Sequence, residues 1–101
     1  MLTIERPDAE TLALAGELDI VGADELRAAI DPEAIGAEEV HLDLGGLEFL
    51  DSTGLASLID LARAFHAAGT RLRTTSPPGS EARLVIGMSG LAPQLGMDEQ
   101  G

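Results

Sequence analysis

The sequence of 101 residues is 45% hydrophobic but only 2% aromatic, which predicts one domain with an aliphatic core and argues against a large bound cofactor. Its 18 acidic residues outnumber 6 basic ones and give a net charge of −12, which repels nucleic acid and favours either a basic protein partner or simple solubility. There is no cysteine, no apolar run as long as a membrane span and no basic start of a signal peptide, so we expect a cytoplasmic protein without disulfides, thiolate metal sites or a membrane anchor.

The first predicted elements are two short strands joined by a turn. Apolar side chains alternate with smaller or polar ones in residues 2–4 (LTI) and again in residues 12–15 (LALA), which is the period of a strand with one buried face. Pro7 and Asp8 lie between these runs and are typical of a turn. The two strands are therefore predicted to form an antiparallel hairpin.

A helix and a third strand follow the hairpin. Residues 23–30 carry apolar side chains at helical spacing, and Pro32 is predicted to end this helix. Residues 40–44 then alternate apolar with polar side chains, as in a strand that buries one face. The pair Gly45-Gly46 is predicted to break this strand.

The second half of the chain repeats the alternation of helix and strand. From Thr53 onward, apolar residues at i, i+3, i+4, i+7 and i+10 predict an amphipathic helix that Gly69 closes. Residues 71–75 are typical of a short strand, and Glu81 to Met88 of a last helix. The order ββαβαβα predicts an α/β fold for a single domain over residues 1–101, with a mixed β-sheet and helices layered mainly on one face.

The segment between the third strand and the long helix carries the strongest candidates for functional residues. Asp51 or Ser52 stands where a helix needs a side-chain cap, and Gly54 allows another backbone or a partner to approach closely. One interpretation is a helix cap and nothing more, in which case Ser52→Ala would cost ~1 kcal/mol. The other is that the helix N-terminus favours an anion, so that a phosphate on Ser52 would be tolerated locally.

Residues 49–55 (FLDSTGL) resemble the switch of the STAS-domain family, specifically the bacterial anti-sigma-factor antagonists, in which an aliphatic or aromatic pair precedes Asp-Ser-Ser/Thr-Gly-Leu. Three other stretches agree with that family in order and spacing: residues 16–19 (GELD) before the first helix, residues 42–44 (LDL) in the central strand, and residues 89–91 (SGL) after the last helix. The resemblance covers Leu2 to Leu91. A switch accompanied by three ordered matches is more specific than a lone motif.

The resemblance implies protein binding rather than catalysis. In this family the first hydroxyl residue after the Asp, here Ser52, is phosphorylated by an anti-sigma factor that is also a serine kinase. Asp19 matches an acidic residue beside the switch that helps partner recognition, although it could equally only turn the chain into the helix. We predict a partner-binding surface made of Asp19, Asp51, Ser52, Thr53 and Gly54.

The mechanism implied by the resemblance is partner switching. The unmodified protein binds the kinase-type anti-sigma factor and displaces a sigma factor, phosphorylation of Ser52 releases it, and a phosphatase restores the unmodified form. No cofactor and no metal is expected in this chain itself, since ATP would be bound by the kinase.

Two stretches depart from the family pattern. The family commonly has Gly-Leu-Gly where this chain has residues 54–56 (GLA), and it usually continues with an aliphatic strand where this chain has residues 91–96 (LAPQLG). Whether this short C-terminal stretch forms a last strand is left open by the sequence.

Two other kinds of function fit parts of the sequence. A STAS domain could instead be an accessory subunit of a lipid or solute transporter, or a signalling scaffold, and the fold alone does not separate these roles. A Ser-His-Asp hydrolase would need Ser52 together with His41 or His66, but no Gly-x-Ser-x-Gly elbow surrounds any serine. His41 alternates with core residues and His66 lies near the end of a helix, so we interpret both as structural.

Overall fold

The predicted segments form a four-stranded sheet and a set of helices. In the computed structural model, which describes residues 1–97, the strands are β1 Leu2–Asp8, β2 Thr11–Leu18, β3 Glu39–Leu50 and β4 Arg71–Thr75. The helices are α1 Ile20–Ala29, α2 Pro32–Ile35, α3 Ser52–Ala67 and α4 Glu81–Ser89, followed by a 3₁₀ helix Ala92–Leu95. The predicted order ββαβαβα is confirmed, with α2 and the 3₁₀ helix as additions. The predicted domain also includes residues 98–101, which lie outside the described residues.

The sheet has the strand order β1-β2-β3-β4, so each strand pairs with its neighbours in sequence. β1 and β2 are antiparallel, as predicted, with Ile4 opposite Leu14. β2 pairs with β3, and β3 with β4, in parallel, because a helix crosses over between the strands of each pair. As a result the carboxyl ends of β2 and β3 meet at the same end of the sheet, where Leu18 lies opposite Leu50.

The core lies between the sheet and the helices on one of its faces. Val40, Leu42 and Leu44 of β3 are buried, whereas His41 and Asp43 on the opposite face are only partly buried. Helices α1 and α3 pack against each other and contact the sheet. Each fully buried leucine stabilises the fold by about 1.5–3 kcal/mol relative to an exposed one. The mixed sheet with helices mainly on one face is therefore confirmed.

The prediction that Gly45-Gly46 ends the third strand is wrong. β3 continues to Leu50, and Gly46 pairs with Ala15 of β2 at a shift in register. A Cβ on Gly46 would lie 2.7 Å from the Cβ of Ala15, so the glycine permits two strands to approach at a bulge rather than ending one of them. The Asp43 carboxylate supports this bulge by accepting a hydrogen bond from the Gly45 N–H at 2.8 Å.

Two predicted boundaries near proline also need correction. β1 runs through Pro7 to Asp8, because Pro7 lies on an edge strand at an irregularity in the pairing, where a missing N–H is tolerated. The hairpin turn is formed two residues later, and the Asp8 carboxylate accepts a hydrogen bond from the Glu10 N–H at 2.9 Å. Helix α1 already ends at Ala29, and Pro32 instead opens the short α2, since proline fits the first turn of a helix.

The stretch after α4 forms a 3₁₀ helix rather than a strand within the described residues. Ala92, Leu95 and Met97 are buried there and join the core. Gly96, at φ +65°, approaches the Leu72 carbonyl oxygen so closely that no Cβ would fit. The C-terminal part of the described chain is thus packed against β4.

Candidate functional site

The predicted site residues lie where two helices start at the same end of the sheet. One residue, Asp19, links β2 to α1, and one residue, Asp51, links β3 to α3. The two strands are parallel neighbours, and the Asp51 N–H donates to the Leu18 carbonyl oxygen across them at 3.5 Å. Asp19 and residues 51–54 are therefore brought together at this end of the sheet.

Asp51 is the N-cap of α3. Its backbone is extended, with φ −106° and ψ −176°, and its Oδ1 accepts a hydrogen bond from the Gly54 N–H at 2.8 Å. Of the two residues that the sequence offers as the cap, the structure selects Asp51. Ser52 is the first helical residue, and its side chain is exposed. The expectation that Ser52→Ala removes a cap is therefore wrong, because the capping bond belongs to Asp51.

Asp19 caps α1 in the same way. Its backbone is also extended, and its Oδ1 accepts a hydrogen bond from the Gly22 N–H at 2.9 Å. The two connections thus share the pattern Asp-x-x-Gly, residues 19–22 in one and residues 51–54 in the other. Asp19 turns the chain into its helix and is at the same time only partly buried, so both roles considered for it are sterically compatible.

Gly54 is the point where α3 touches the end of β2. A Cβ at this position would overlap the Leu18 carbonyl oxygen and lie 3.0 Å from the Leu18 Cγ. The close approach predicted for Gly54 is therefore made by the chain's own backbone. Gly22 plays the same part in α1, since a Cβ there would lie 2.8 Å from the Glu17 carbonyl oxygen. Both glycines let a helix start directly against a strand end.

The capping bond also sets the acidity of Asp19. The hydrogen bond from the Gly22 N–H stabilises the carboxylate and holds the pKa of Asp19 below its ordinary value of 3.8. Asp19 thus remains charged under all conditions near neutrality. The carboxylates of Asp19 and Asp51 thus both contribute negative charge at this end of the sheet.

Replacing Asp19 with asparagine should change how stability depends on pH. Because the pKa of Asp19 is lowered by folding, its charge stabilises the fold above the unfolded pKa, and this contribution is lost as the pH falls through the folded pKa. Asn caps a helix about as well as Asp but does not titrate. We expect the free energy of unfolding, measured in urea, to fall more steeply for the wild type than for Asp19→Asn between about pH 7 and pH 3. A constant gap between the two proteins across this range would contradict the assignment.

Beyond its first turn, α3 belongs to the core. Leu55 and Leu58 are buried, as the sequence analysis expects, and the buried Ser57 hydroxyl donates to the Gly54 carbonyl oxygen at 2.6 Å. Ala56 is exposed, so the methyl group by which this chain departs from the family pattern points to solvent. Thr53 is half-buried next to Ser52.

Three exposed apolar residues at this end of the sheet were not predicted. Ile20 and Val21 open α1 with 64% and 61% of their surface exposed, and Phe49 near the end of β3 is 39% exposed. The sequence did contain a signal for their exposure, because Ile20 and Val21 precede the apolar stripe of α1 and do not belong to it. Their exposure identifies them as surface residues beside the predicted switch.

The two histidines lie far from Ser52. His41 stands at the opposite end of β3, where its Nε2 lies 2.6 Å from the Thr75 Oγ1. His66 is exposed in the last turn of α3, about 20 Å along the helix axis from Ser52. Neither imidazole can reach the Ser52 hydroxyl, so the arrangement that a Ser-His-Asp hydrolase requires at Ser52 is not formed.

None of the helices within residues 1–97 is both long and apolar enough to cross a bilayer. Over the same residues, no three His, Asp or Glu side chains gather in a way that could hold a metal ion.

Fold and site together have the form of a STAS domain, and comparison with known proteins agrees. The family model described as "Mlab, STAS domain" matches residues 2–95. This chain therefore belongs to the STAS domain family.

Individual relatives are anti-sigma factor antagonists. The anti-sigma-B factor antagonist of Staphylococcus epidermidis is 31% identical over 65 residues, which are 63% of this chain and 60% of the relative. The aligned part thus spans less than two thirds of that relative's length.

Solved structures of such antagonists share the whole fold. SpoIIAA in its unphosphorylated form has a TM-score of 0.70 and 25% identity, covering 97% of this chain and 86% of SpoIIAA. The phosphorylated form of the Bacillus SpoIIAA has a TM-score of 0.65 and 28% identity, covering 97% and 89%. An anti-sigma factor antagonist from Mycobacterium paratuberculosis has a TM-score of 0.72 and 27% identity, covering 96% and 83%. The resemblance inferred from residues 49–55 is confirmed.

Proposed function

We propose that this protein is an anti-sigma factor antagonist that binds a kinase-type anti-sigma factor and is switched off by phosphorylation of Ser52. The observation that carries the proposal is the position of the Ser52 hydroxyl. It is exposed at the first residue of α3, while the capping bond is made by Asp51. The hydroxyl can therefore be modified without removing the bond that starts the helix.

The similarity to SpoIIAA supports this proposal. SpoIIAA is an anti-sigma factor antagonist with an unphosphorylated and a phosphorylated form, and both forms align with nearly all of this chain. A protein with the same fold and an exposed serine at the start of α3 has the structural requirements for the same kind of regulation.

Phosphorylation would act through charge. It adds about −1.5 to −2 charges to a surface that already carries Asp19 and Asp51. In the free protein, water and the helix N-terminus tolerate this charge. When a partner packs closely over Ser52, the same charge costs desolvation and repulsion unless basic side chains answer it. The phosphorylated protein is therefore released by the anti-sigma factor.

The remaining steps fall to other proteins. The anti-sigma factor supplies ATP and the kinase activity, and a separate phosphatase restores Ser52. This chain acts in the cytoplasm as a regulated protein ligand and not as an enzyme. It affects transcription without touching DNA, because the sigma factor displaced from the anti-sigma factor is the component that does so.

Incubation with its kinase and ATP should add one phosphate to this protein, on Ser52, as mapped by peptide mass spectrometry. Three other hydroxyls are poorer candidates because Thr53 is half-buried, while Ser57 and Ser76 are buried. Ser52→Ala should abolish the modification, and Thr53→Val should leave it intact. A phosphate on Thr53, Ser57 or Ser76 would mean that the site is wrongly assigned.

Co-purification separates this function from the alternative role of a STAS domain. A tagged wild-type chain should retain an anti-sigma factor with kinase activity, and less of it after phosphorylation. Recovery of transporter subunits in its place would support the accessory-subunit role and contradict partner switching.

A further inference from the structure

Exposed apolar side chains are concentrated at the end of the sheet that carries Ser52. Six large apolar side chains are exposed in the described part of the chain: Met1, Ile20, Val21, Phe49, Leu84 and Met88. The first four lie at this end, since β1 starts beside the end of β2, α1 starts directly after it, and Phe49 is the last residue but one of β3. Leu84 and Met88 belong to α4, whose main contacts are with β3 and the 3₁₀ helix.

Ile20 and Val21 occupy in α1 the positions that Ser52 and Thr53 occupy in α3. Both pairs follow a capping aspartate and precede a glycine that is packed against a strand end. The two strands before them are parallel neighbours, and α1 packs against α3. An apolar pair and the hydroxyl pair of the switch therefore stand side by side on one surface.

The apolar pair does not serve the fold. The buried residues of α1 are Gly22, Ala23 and Leu26, whereas Ile20 and Val21 are more than 60% exposed. β-Branched residues are also slightly unfavourable in a helix, so helix propensity does not explain their place in α1. Exposed apolar residues that cluster within a polar rim mark surfaces that another protein covers, and Ile20 and Val21 lie at the same end of the sheet as the exposed Met1 and Phe49.

The charges around Ile20 and Val21 indicate the chemistry of the partner surface that would cover them. The acidic side chains on the two connections and the residues beside them are Glu17, Asp19, Asp24, Glu25, Glu48 and Asp51. Glu17 is paired with the N-terminal ammonium at 3.0 Å, which leaves this surface acidic overall. The one basic residue of α1, Arg27, is already engaged by Asp24 at 3.6 Å and Asp60 at 3.3 Å. A complementary partner therefore has an apolar centre surrounded by basic side chains.

We propose that Ile20 and Val21 are the apolar anchor by which this protein holds its anti-sigma factor, seated in an apolar depression of that partner with a basic rim. The inference rests on the proposed function and extends it from the switch residue to the contact that supplies affinity. Binding buries the pair beside Ser52. Because the basic rim of the partner already faces the acidic residues around the pair, a phosphate on Ser52 would lie unpaired against the apolar depression and weaken the interface. The acidic residues around the pair speed the encounter, and the apolar pair slows dissociation.

The test compares two double variants with matched exposure. Ile20→Ser with Val21→Ser removes the anchor, and serine is suited to this position because α3 itself starts with Ser52. Leu84→Ser with Met88→Ser removes an apolar pair of similar or greater exposure in α4. Binding to the purified kinase that phosphorylates Ser52 is measured by calorimetry and by surface plasmon resonance. We expect the first variant to bind about 10- to 100-fold more weakly, mainly through faster dissociation, and the second to bind within about twofold of the wild type.

Two controls distinguish the loss of this contact from the loss of the fold. The first is thermal unfolding of both serine variants followed by circular dichroism, and the second is the conservative double variant Ile20→Val with Val21→Ile. Both serine variants should melt as the wild type does, and the conservative variant should keep its affinity. If the Ile20/Val21 serine variant is folded and binds as tightly as the wild type, the inference fails while the proposed function stands. An equal loss in the α4 variant would also overturn it. If the wild type itself neither binds the kinase nor is phosphorylated, the proposed function fails, and the inference with it.

Discussion

Gly54→Ala is expected to lower the free energy of unfolding by about 2–4 kcal/mol. The added Cβ would overlap the Leu18 carbonyl oxygen, which belongs to a paired strand and has no rotamer by which to move away. Alanine is otherwise the better helix former by about 1 kcal/mol, so the loss must come from this overlap. Urea unfolding followed by circular dichroism measures the difference.

Gly87→Ala is the matched control for this prediction. Gly87 also lies inside a helix, α4, but a Cβ there meets no atom within 4 Å. This substitution should therefore raise the free energy of unfolding by up to about 1 kcal/mol, the ordinary advantage of alanine over glycine in a helix. Opposite signs for the two variants are the expected result. If Gly54→Ala were as stabilising as Gly87→Ala, the close packing of α3 on β2 would be refuted.

The periodicity of the sequence was sufficient to predict most of the fold. A strand that covers a core on one face alternates apolar and polar residues, as residues 40–44 do, and a helix on that core repeats them every three or four positions, as α3 does. These signals are local, so they can be read without knowing which elements become neighbours. The mixed sheet then followed from the alternation of strands and helices.

The periodicity failed where a strand departs from regular pairing. After Leu44 the buried residues of β3 are Leu47 and Leu50, a spacing of three rather than two, because the register against β2 shifts twice. A bulge depends on the partner strand, and its position is not encoded in the pattern of β3 alone. The same shifts leave Phe49 on the surface, which the sequence did not indicate.

The sequence indicated that the candidate residues lie on connections that start helices, but it did not predict the geometry of those connections. The motif in residues 51–54 identified the connection, yet two adjacent residues, Asp51 and Ser52, were equally suited to cap the helix. Choosing between them needs the backbone angles, since the cap is the last residue that is extended. The apolar pair of α1 was missed for another reason: the packing of α1 beside α3 places it next to Ser52, and that packing is not visible in the sequence.

Ser52→Asp and Ser52→Ala should have small effects on stability and very different effects on binding. Because Asp51 makes the capping bond, both variants should stay within about 0.5 kcal/mol of the wild-type free energy of unfolding. Asp51→Ala, by contrast, should lose about 1 kcal/mol, which shows that the assay detects a lost cap. Thermal and urea unfolding of the three variants give these differences.

Binding to the anti-sigma factor should separate the two Ser52 variants by about 10- to 100-fold. Alanine leaves the surface uncharged, so Ser52→Ala should bind as the unmodified protein does. Aspartate places one negative charge in the contact beside Asp51 and Asp19, where desolvation and repulsion oppose close packing. Calorimetry with the purified kinase measures both affinities, and fully phosphorylated wild type should be weaker than Ser52→Asp because its charge is larger. Loss of both stability and binding in Ser52→Ala, with both retained in Ser52→Asp, would mean that Ser52 supports the helix and is not the switch.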